Sequence, residues 1–350
     1  MKKVVEPKRP SRTAIIASGP GDVRIGPVLA IPDVLSALGG NPQKAFALTG
    51  FDPRLFDDAD NRVSLDALGN LVQTCATLAN CPHFGLLVGE RFELKGFGPL
   101  GYLMKNSATV GDALRSLLLH LHLHDAGGAP LLLAPDASCV ILGYTIYRHG
   151  TPGVDLVLDA VVAIAHRILV ELCGPAWKPL RVQFSHSQPE DLAAWRRVFG
   201  ASVSFGADVS GVVFDASWLG RPVEGADATL HAYLARAIQR EQAHGALSFA
   251  EQVARALPQM LLSGMASGPA VARLFGVHER TLRRRLEAEG QGLQQLINAA
   301  RFELARQLLA NTALSVAEIA IALRYDDPNV FSRAFRGWAG LSPTQWRARQ

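Results

Sequence analysis

The fold of this chain is decided by two stretches, PAVARLFGVHERTLRRRLEAEG at 269–290 and SVAEIAIALRYDDPNVFSRAFRGWAG at 315–340. Each has the pattern of a short apolar helix, a turn and a second helix that carries arginines. This order is typical of a helix-turn-helix unit, whose second helix enters the major groove of DNA. A helical pattern at 293–310 joins the two stretches. We therefore predict an all-α domain with two helix-turn-helix units joined by a linker helix.

The second helix of the first unit has a core-facing side and a free side. Leu282 and Leu286 are one turn apart and should face the core, which leaves the arginines outward. Arginine is suited to bidentate contact with guanine edges and phosphates. The candidate DNA contacts of this helix are Arg280, Thr281, Arg283 and Arg284.

The second unit divides in the same way. We expect its core-facing side chains to be Ile319, Ala320, Leu323, Val330, Phe331 and Phe335. Asparagine pairs with adenine, arginine with guanine, and serine contacts either a base or a phosphate. The candidate DNA contacts of this helix are Asn329, Ser332, Arg333 and Arg336.

The linker helix sets the distance between the two units. About 18 residues span roughly 27 Å at 1.5 Å per residue. With the flanking turns, the two recognition helices would lie about 34 Å apart, which is one turn of DNA. One monomer would then read two successive major-groove segments of double-stranded DNA. The alternative is a helical bundle whose surface is merely rich in arginine.

Charge is distributed unevenly along the chain. From residue 248 onward there are 13 arginines, no lysine and 8 acidic residues, whereas residues 25–247 hold 16 basic and 21 acidic residues. A basic end on an acidic body indicates a nucleic-acid partner for that end. A GC-rich genome, which favours arginine codons, would explain part of the arginine excess.

The front part of the chain mixes helices and strands. Residues 129–135 and 139–147 are strand-like and separated by a short turn at 136–138, which predicts a hairpin. Helical patterns lie on both sides, at 27–39, 65–79, 82–92, 109–122, 154–173 and 189–199. This mixture predicts an α+β N-terminal domain rather than a regular alternation of strands and helices.

Four segments follow from this reading. Residues 1–24 are polar and predicted to be a disordered tail. Residues 25–223 form the α+β domain, 224–247 a linker helix, and 248–350 the double helix-turn-helix domain. Ser248 is a plausible helix N-cap for the start of the last segment.

Residues 248–346 resemble the DNA-binding domain of the AraC/XylS transcription regulators, through TLRRRLEAEG, RFELARQLLA, SVAEIAIAL and FSRAFRGWAGLSP. In that family the positions matching Arg280, Arg283, Arg284, Asn329, Ser332 and Arg333 contact bases. One departure is Arg324-Tyr325, where the family has Gly-Phe. The tyrosine can replace the aromatic side chain in the core. Arg324 would cost about 1 kcal/mol if its φ is positive.

The front domain resembles the ligand-binding and dimerisation domain of the ornithine-utilisation-regulator branch. The resemblance lies in FGPLGYLMKNSATVGDAL at 97–114, PLRVQFSH at 179–186 and WRRVFGASVSFGA at 195–207. It implies an α+β sensor domain that binds a small-molecule effector of unknown identity, and a homodimer. No cofactor and no ligand-contact residue carry over. Four aromatic residues would line the effector cavity or simply fill the core: Phe97, Tyr102, Tyr144 and Tyr147.

The histidines at 120–124 and at 166 resemble metal ligands but are better explained otherwise. His120, His122 and His124 alternate, a spacing that shares one face on a strand but not on a helix. The preceding pattern is helical, so we expect no metal there. His166 lies among apolar residues and is expected to be a hydrogen-bonded core histidine, with a haem or metal ligand as the alternative. His186 follows a strand and is structural or lines the pocket.

Cysteine usage and the absence of catalytic motifs argue against an enzyme. Cys75, Cys81, Cys139 and Cys173 form no Cys-x-x-Cys pair, so we expect reduced, buried thiols in a cytoplasmic protein, with a redox switch as the alternative. An alkyl-DNA repair enzyme with the same DNA-binding module would need a reactive cysteine near the start, and none precedes Cys75. No signal peptide is recognisable. Residues 154–173 come closest to a membrane span but contain charged residues.

Taken as a whole, the sequence predicts a sequence-specific DNA-binding transcription regulator. We expect an effector-responsive activator that acts on RNA polymerase, and a repressor of the same fold is the alternative.

Overall fold

The computed structural model describes residues 22–349, except 122–124, 126–127, 135–136, 147–150, 208, 245–247, 263–265, 276 and 312–313. Residues 1–21 of the predicted tail therefore lie outside the described residues. The last three residues of that segment are ordered, because they form a strand that pairs with residues 62–64. The prediction of a disordered segment up to residue 24 is wrong for these three residues.

The front half, residues 22–244, contains nine α-helices and seven strands among the described residues. Its helices are α1 (Ile31–Ala37), α2 (Pro42–Thr49), α3 (Leu65–Leu78), α4 (Phe84–Glu90), α5 (Pro99–Lys105), α6 (Val110–His120), α7 (Val154–Cys173), α8 (Ala193–Phe199) and α9 (Ala228–His244). Its strands are β1 (Asp22–Arg24), β2 (Arg62–Ser64), β3 (Gly128–Leu133), β4 (Cys139–Ile146), β5 (Arg181–Gln183), β6 (Ser202–Ser204) and β7 (Ser210–Asp215).

The larger sheet has five strands in the order β3-β4-β7-β5-β6. Neighbouring strands are antiparallel except β5 and β6, which are parallel. The predicted hairpin is confirmed, since β3 pairs with β4 and places Leu132 opposite Leu142. The predicted α+β class is confirmed as well. The helix predicted at 189–199 begins only at Ala193, whose backbone N–H donates to the Asp191 carboxylate at 2.8 Å.

Helix α7 lies between two hydrophobic clusters of the front half. Its first turn, with Leu156 and Val157, packs into the cluster formed by β1 and α1–α4. The rest of the helix packs into the cluster formed by α5, α6 and the sheet. An apolar helix that is buried on almost all sides suits this central position. Within the described residues, none of the helices combines the length and apolar character needed to cross a membrane.

A buried carboxylate on α7 fixes the adjoining β5–α8 segment. Asp159 accepts hydrogen bonds from Trp195 Nε1 at 3.0 Å and from His186 Nε2 at 3.2 Å. Burial raises the pKa of Asp159, and the two hydrogen bonds act in the opposite direction. Burial tends to lower the pKa of His186, but the hydrogen bond and negative charge of Asp159 raise it above the ordinary value. His186 is therefore a structural partner of Asp159.

His166 packs against core aromatic rings as predicted, but its buried Nδ1 has no hydrogen-bond partner among the described residues, unlike the predicted hydrogen-bonded histidine. Its ring lies 5.5 Å from that of Trp177 and 5.3 Å from that of Phe199, measured between centroids. Burial lowers its pKa to about 4, so the ring is neutral at physiological pH.

The C-terminal half is built from helices alone among the described residues, which confirms the predicted all-α class. They are α10 (Phe249–Leu262), α11 (Gly268–Leu274), α12 (Glu279–Ala288), α13 (Leu293–Asn311), α14 (Val316–Ala322), α15 (Pro328–Ala339) and α16 (Pro343–Arg347). One hydrophobic cluster joins α10–α15. Ser248 caps α10, because its hydroxyl accepts from the Glu251 N–H at 3.2 Å and its own N–H donates to the Glu251 carboxylate at 2.7 Å.

Candidate nucleic-acid interface

The first helix-turn-helix unit consists of α11 and α12. Val271 and Ala272 of α11 are buried, and so are Leu282 and Leu286 of α12. These four side chains occupy the same hydrophobic cluster. The core-facing side of α12 is therefore as predicted, and its opposite side faces solvent.

The outward face of α12 is basic. Arg280 and Arg284 are both exposed, and Thr281 at the flank is half-buried. Residues 280 and 284 lie one turn apart on the same face. Within the part of the chain that the structure describes, neither arginine has an ion-pair partner. Both guanidinium groups are thus open to a partner such as DNA.

Arg283 differs from its neighbours because it is already paired. Its Nη2 and Nε donate to the Glu279 carboxylate at 2.6 Å and 3.2 Å. Both side chains remain accessible, with 62% of Arg283 and 36% of Glu279 exposed. This pair was not predicted from the sequence, although glutamate four residues before arginine is a recognisable stabilising spacing on a helix.

Arg285 points away from this basic face. Its guanidinium lies 5.2 Å from the ring centroid of Phe249, at the start of α10. Glu289 joins the same two helices by accepting hydrogen bonds from the backbone N–H groups of Ala250 at 2.7 Å and Phe249 at 3.0 Å. The bond from Ala250 is the largest of the effects that lower the pKa of Glu289. These contacts fix the orientation of α12.

The second unit consists of α14 and α15. A capping box begins α14, with the Ser315 hydroxyl accepting from Glu318 N–H at 3.2 Å and the Glu318 carboxylate accepting from Ser315 N–H at 2.7 Å. The predicted core residues Ile319, Ala320 and Leu323 are buried. This unit therefore begins at a defined residue and packs into the same core as the first.

The outward face of α15 holds a mixture of side chains. Asn329, Arg333 and Arg336 are exposed, and Ser332 is half-buried. Val330 is also on the outside, with 42% of its surface exposed, so its predicted place in the core is wrong. The reason is helical geometry: the core side is set by Phe331 and Phe335, and residue 330 lies about 100° around the helix from residue 331. A helical projection of the sequence places Val330 next to Arg333, three residues further along the helix, on the exposed side.

The Arg324-Tyr325 departure is accommodated in the turn before α15. Arg324 has a φ of 61°, so the condition stated for its conformational cost is met. Tyr325 packs on Phe331 with 5.6 Å between ring centroids. The guanidinium of Arg301, on α13, lies 4.9 Å from the Tyr325 centroid. Tyrosine therefore takes the place of the family's aromatic residue.

Helix α13 joins the two units and is held at its far end. It has 19 residues, which corresponds to roughly 28 Å at 1.5 Å per residue. Arg347, in α16, donates hydrogen bonds to the carbonyl oxygens of Leu309 at 3.0 Å and Leu314 at 2.6 Å. The nearby Trp346 ring lies 6.0 Å from that of Phe335. The end of α13 and the start of α14 are thereby tied to α15 and α16.

The histidines and cysteines considered above form neither a metal site nor a disulfide among the described residues. Among the described residues, no three histidine, cysteine or acidic side chains come together as a metal site; His122 and His124 lie outside the described residues. Cys75, Cys81 and Cys139 are buried and Cys173 is half-buried, all as free thiols. Burial raises the pKa of Cys75 and of Cys173 to about 12, which disfavours the reactive thiolate.

Comparison with known proteins identifies both halves. Residues 39–223 match the family described as the arabinose-binding domain of AraC transcription regulator, N-terminal, and residues 271–349 match a helix-turn-helix domain family. The first description names a transcription regulator, and the second names the helix-turn-helix domain that the sequence predicts.

Relatives of similar length are also regulators. The HTH-type transcriptional regulator VirS of Mycobacterium tuberculosis is 28% identical over 90% of this chain and 93% of its own length. The ornithine utilization regulator of Pseudomonas aeruginosa is 26% identical over 91% of this chain and 94% of its own. The crystal structure of the transcriptional regulator CdpR from Pseudomonas aeruginosa is 22% identical and aligns with a TM-score of 0.44 over 88% of this chain and 96% of that one.

Proposed function

Because this chain belongs to the AraC family of transcription regulators and is a DNA-binding regulator, we propose that it is an effector-responsive activator. Each monomer reads two successive major-groove segments, one with α12 and one with α15. The observation that carries this proposal is the pairing of exposed polar faces with buried apolar faces on two helices of one core.

The first helix supplies the guanine and phosphate contacts. Arg280 and Arg284, which are free of ion pairs among the described residues, enter the groove together. Arg283 lies at the edge of the same face and is paired with Glu279, so it contacts the phosphate backbone beside the groove. Thr281 borders the opposite edge.

The outward face of α15 carries amide, hydroxyl and guanidinium side chains. Asn329 is suited to adenine and Arg333 to guanine, while Ser332 and Arg336 suit the backbone or a base edge. These four side chains are the contacts that we assign to α15.

The separation of the chain into an α+β domain and an all-α domain supports separate effector-sensing and DNA-binding domains. We propose an effector-binding and dimerisation domain at 25–223, a linker helix at 224–247 and a DNA-binding domain at 248–350. Helix α9, within the linker segment, places Ile238 in the core of the front half, so that helix moves with the sensor. We further propose that the protein is a cytoplasmic homodimer and that RNA polymerase is its partner at the promoter.

A footprint on the DNA upstream of the protein's own gene tests this function. We expect protection of major-groove segments about one turn apart. Affinity should fall by roughly 1,000-fold or more between 50 and 200 mM salt, as for a protein that makes six or more phosphate contacts. Absence of salt-sensitive, sequence-selective binding would refute the proposal. Reporter output in a deletion strain distinguishes activation from repression. The output falls if the protein is an activator and rises if it is a repressor.

A further inference from the structure

The front half contains a partly open cavity between its two hydrophobic clusters. Its volume is about 100 Å³, and its walls come from α3, α6, α7 and β4. Of the 24 described residues that line it, three have polar side chains: Arg24, Asp125 and Tyr144. Typical wall residues are Leu68, Leu117, Leu142, Val161 and Ala165. The cavity is therefore apolar over nearly all of its surface.

The three polar side chains are close neighbours. The Tyr144 hydroxyl donates a hydrogen bond to the Asp125 carboxylate. Asp125 also pairs through its backbone with Val23, which precedes Arg24. Arg24 forms an ion pair with Asp60, whose side chain is 68% exposed. These contacts gather the polar groups on one side of the cavity.

This lining selects a class of ligand. Sugar hydroxyls buried against apolar walls would lose their hydrogen bonds to water without replacement. An apolar cavity of about 150 Å³ in another protein stays dry and binds benzene, so 100 Å³ limits the buried part of a ligand to at most one small ring or a short chain. The matched family takes its description from arabinose, yet three neighbouring polar side chains cannot satisfy a sugar with hydroxyls on all sides.

We propose that this cavity is the effector site and binds a compact apolar molecule with one hydrogen-bond-donating head group. The ring or chain lies between α7, α3 and α6. The head group donates to the Asp125 carboxylate beside the Tyr144 hydroxyl. This inference rests on the proposed function, since it specifies the effector of the same regulator.

The cavity walls also connect the ligand to the DNA-binding half. Helix α6 lines the cavity with Leu117, and β4, which carries Leu142, pairs with β3. On their other side, α6 and β3 contact α10. A cleft of about 540 Å³ lies there, with Leu118 and Leu132 on one wall and Met260 on the other. Filling the cavity would therefore shift the elements against which the DNA-binding half is packed.

The test uses the full chain and three probes: p-cresol, toluene and L-arabinose. Thermal unfolding is followed with each probe over a concentration series. We expect p-cresol to raise Tm by roughly 3 °C at ten times its Kd. Toluene should bind more weakly because it lacks the donor, and L-arabinose should cause no shift.

Two valines of α7 provide a matched pair of variants. Val161 lines the cavity, whereas Val170, on the same helix, is half-buried and does not. Val161→Phe should abolish the p-cresol shift, and Val170→Phe should retain it. If Val161→Phe does not fold, Ala165→Leu fills the same cavity with a smaller change. Asp125→Ala, which removes the proposed acceptor, should reduce the advantage of p-cresol over toluene.

The outcomes separate this inference from the proposed function. A shift with L-arabinose and none with p-cresol would overturn the ligand class. If neither p-cresol nor toluene raises Tm, or if the cavity-filling variants keep the full shift, the cavity is not the effector site. DNA binding is measured on the same preparations without probe and tests the proposed function separately. If the protein does not bind DNA, the proposed function is refuted. If it binds DNA but none of the probes, only this inference is refuted.

Discussion

Arg283 is held by Glu279 at 2.6 Å across one turn of α12, whereas the next residue, Arg284, has no ion-pair partner among the described residues. In the absence of DNA, one of these two adjacent arginines is thus paired with a carboxylate and the other is not. Arg284 is available for a base edge without breaking a contact. Under the proposed function, Arg283 would share its guanidinium between Glu279 and DNA.

Neutralising Glu279 should strengthen DNA binding without altering its selectivity. In Glu279→Gln, the loss of a negative charge beside the phosphates and the release of Arg283 should both raise affinity a few-fold. The measurement is a binding titration on specific and scrambled DNA at several salt concentrations. Glu303→Gln, which breaks a similar exposed pair with Arg306 on α13, serves as the control and should have little effect. Weaker binding by Glu279→Gln would mean that Glu279 positions Arg283 or itself accepts from a base.

Replacing Arg324 by glycine should stabilise the DNA-binding half. Arg324 adopts a φ of 61°, which glycine adopts without the steric penalty of a Cβ. We expect Arg324→Gly to raise the free energy of unfolding by about 1 kcal/mol. Urea unfolding of the full chain checks this. DNA affinity should be maintained or improved, and a large loss of affinity would show that Arg324 contacts DNA.

Gly340→Ala is the matched control for that conformational argument. Gly340 ends α15 with a φ of 73°. An added Cβ meets no atom there within 4 Å, so only the backbone conformation is penalised. We expect a loss of about 1 kcal/mol. If Arg324→Gly and Gly340→Ala change stability in the same direction, the explanation by positive φ is wrong.

The Asp159–His186 pair should make stability fall as pH rises above neutrality. The folded-state pKa of His186 is raised, so the folded protein holds a proton that the unfolded chain releases from about pH 6.5 upward. The stabilisation is complete below that pH and is lost as pH rises through the folded-state value. The raised pKa of Asp159 has the same sign. Burial lowers the pKa of nearby His83, which affects stability only below its ordinary value.

Urea unfolding between pH 6.5 and 8.5 measures this dependence (the range starts at the ordinary histidine pKa). His186→Gln should remove much of the slope, and His278→Gln, at the exposed start of α12, should keep it. An unchanged slope in His186→Gln would show that another group causes it.

Sequence periodicity was sufficient to predict the buried face of a helix where one side of that helix is strongly apolar. Leu282 with Leu286, and Phe331 with Phe335, define buried faces that the apolar spacing predicts. Val330 was misplaced because a hydrophobic residue was assumed to be buried, although its angular position put it among the polar side chains. The positive φ of Arg324 followed from the family's glycine at that position, and not from the residue itself.

Contacts between distant segments did not follow from the sequence. The bond of Glu289 to the start of α10 joins residues 39 and 40 positions apart, and no local pattern indicates it. The cavity was only partly anticipated. Of the four aromatic candidates, Phe97 and Tyr144 line it, Tyr102 is exposed on α5, and Tyr147 lies outside the described residues. Asp125 joins the site because the strand pairing of Val23 brings it there.

Comparison of Arg284→Ala with Arg285→Ala tests most directly whether the outward face of α12 reads DNA. The two arginines are adjacent and both are exposed, but Arg285 lies over the Phe249 ring, away from the face that carries Arg280 and Arg284. We predict that Arg284→Ala loses roughly 5- to 150-fold in affinity for its operator and loses preference at one base step. Arg285→Ala should stay within about two-fold of the unmodified chain, because its stacking on Phe249 contributes only about 0.5–1 kcal/mol to folding. Equal losses in the two variants, or a loss in Arg284→Ala that is the same on every DNA sequence, would contradict base reading by this helix.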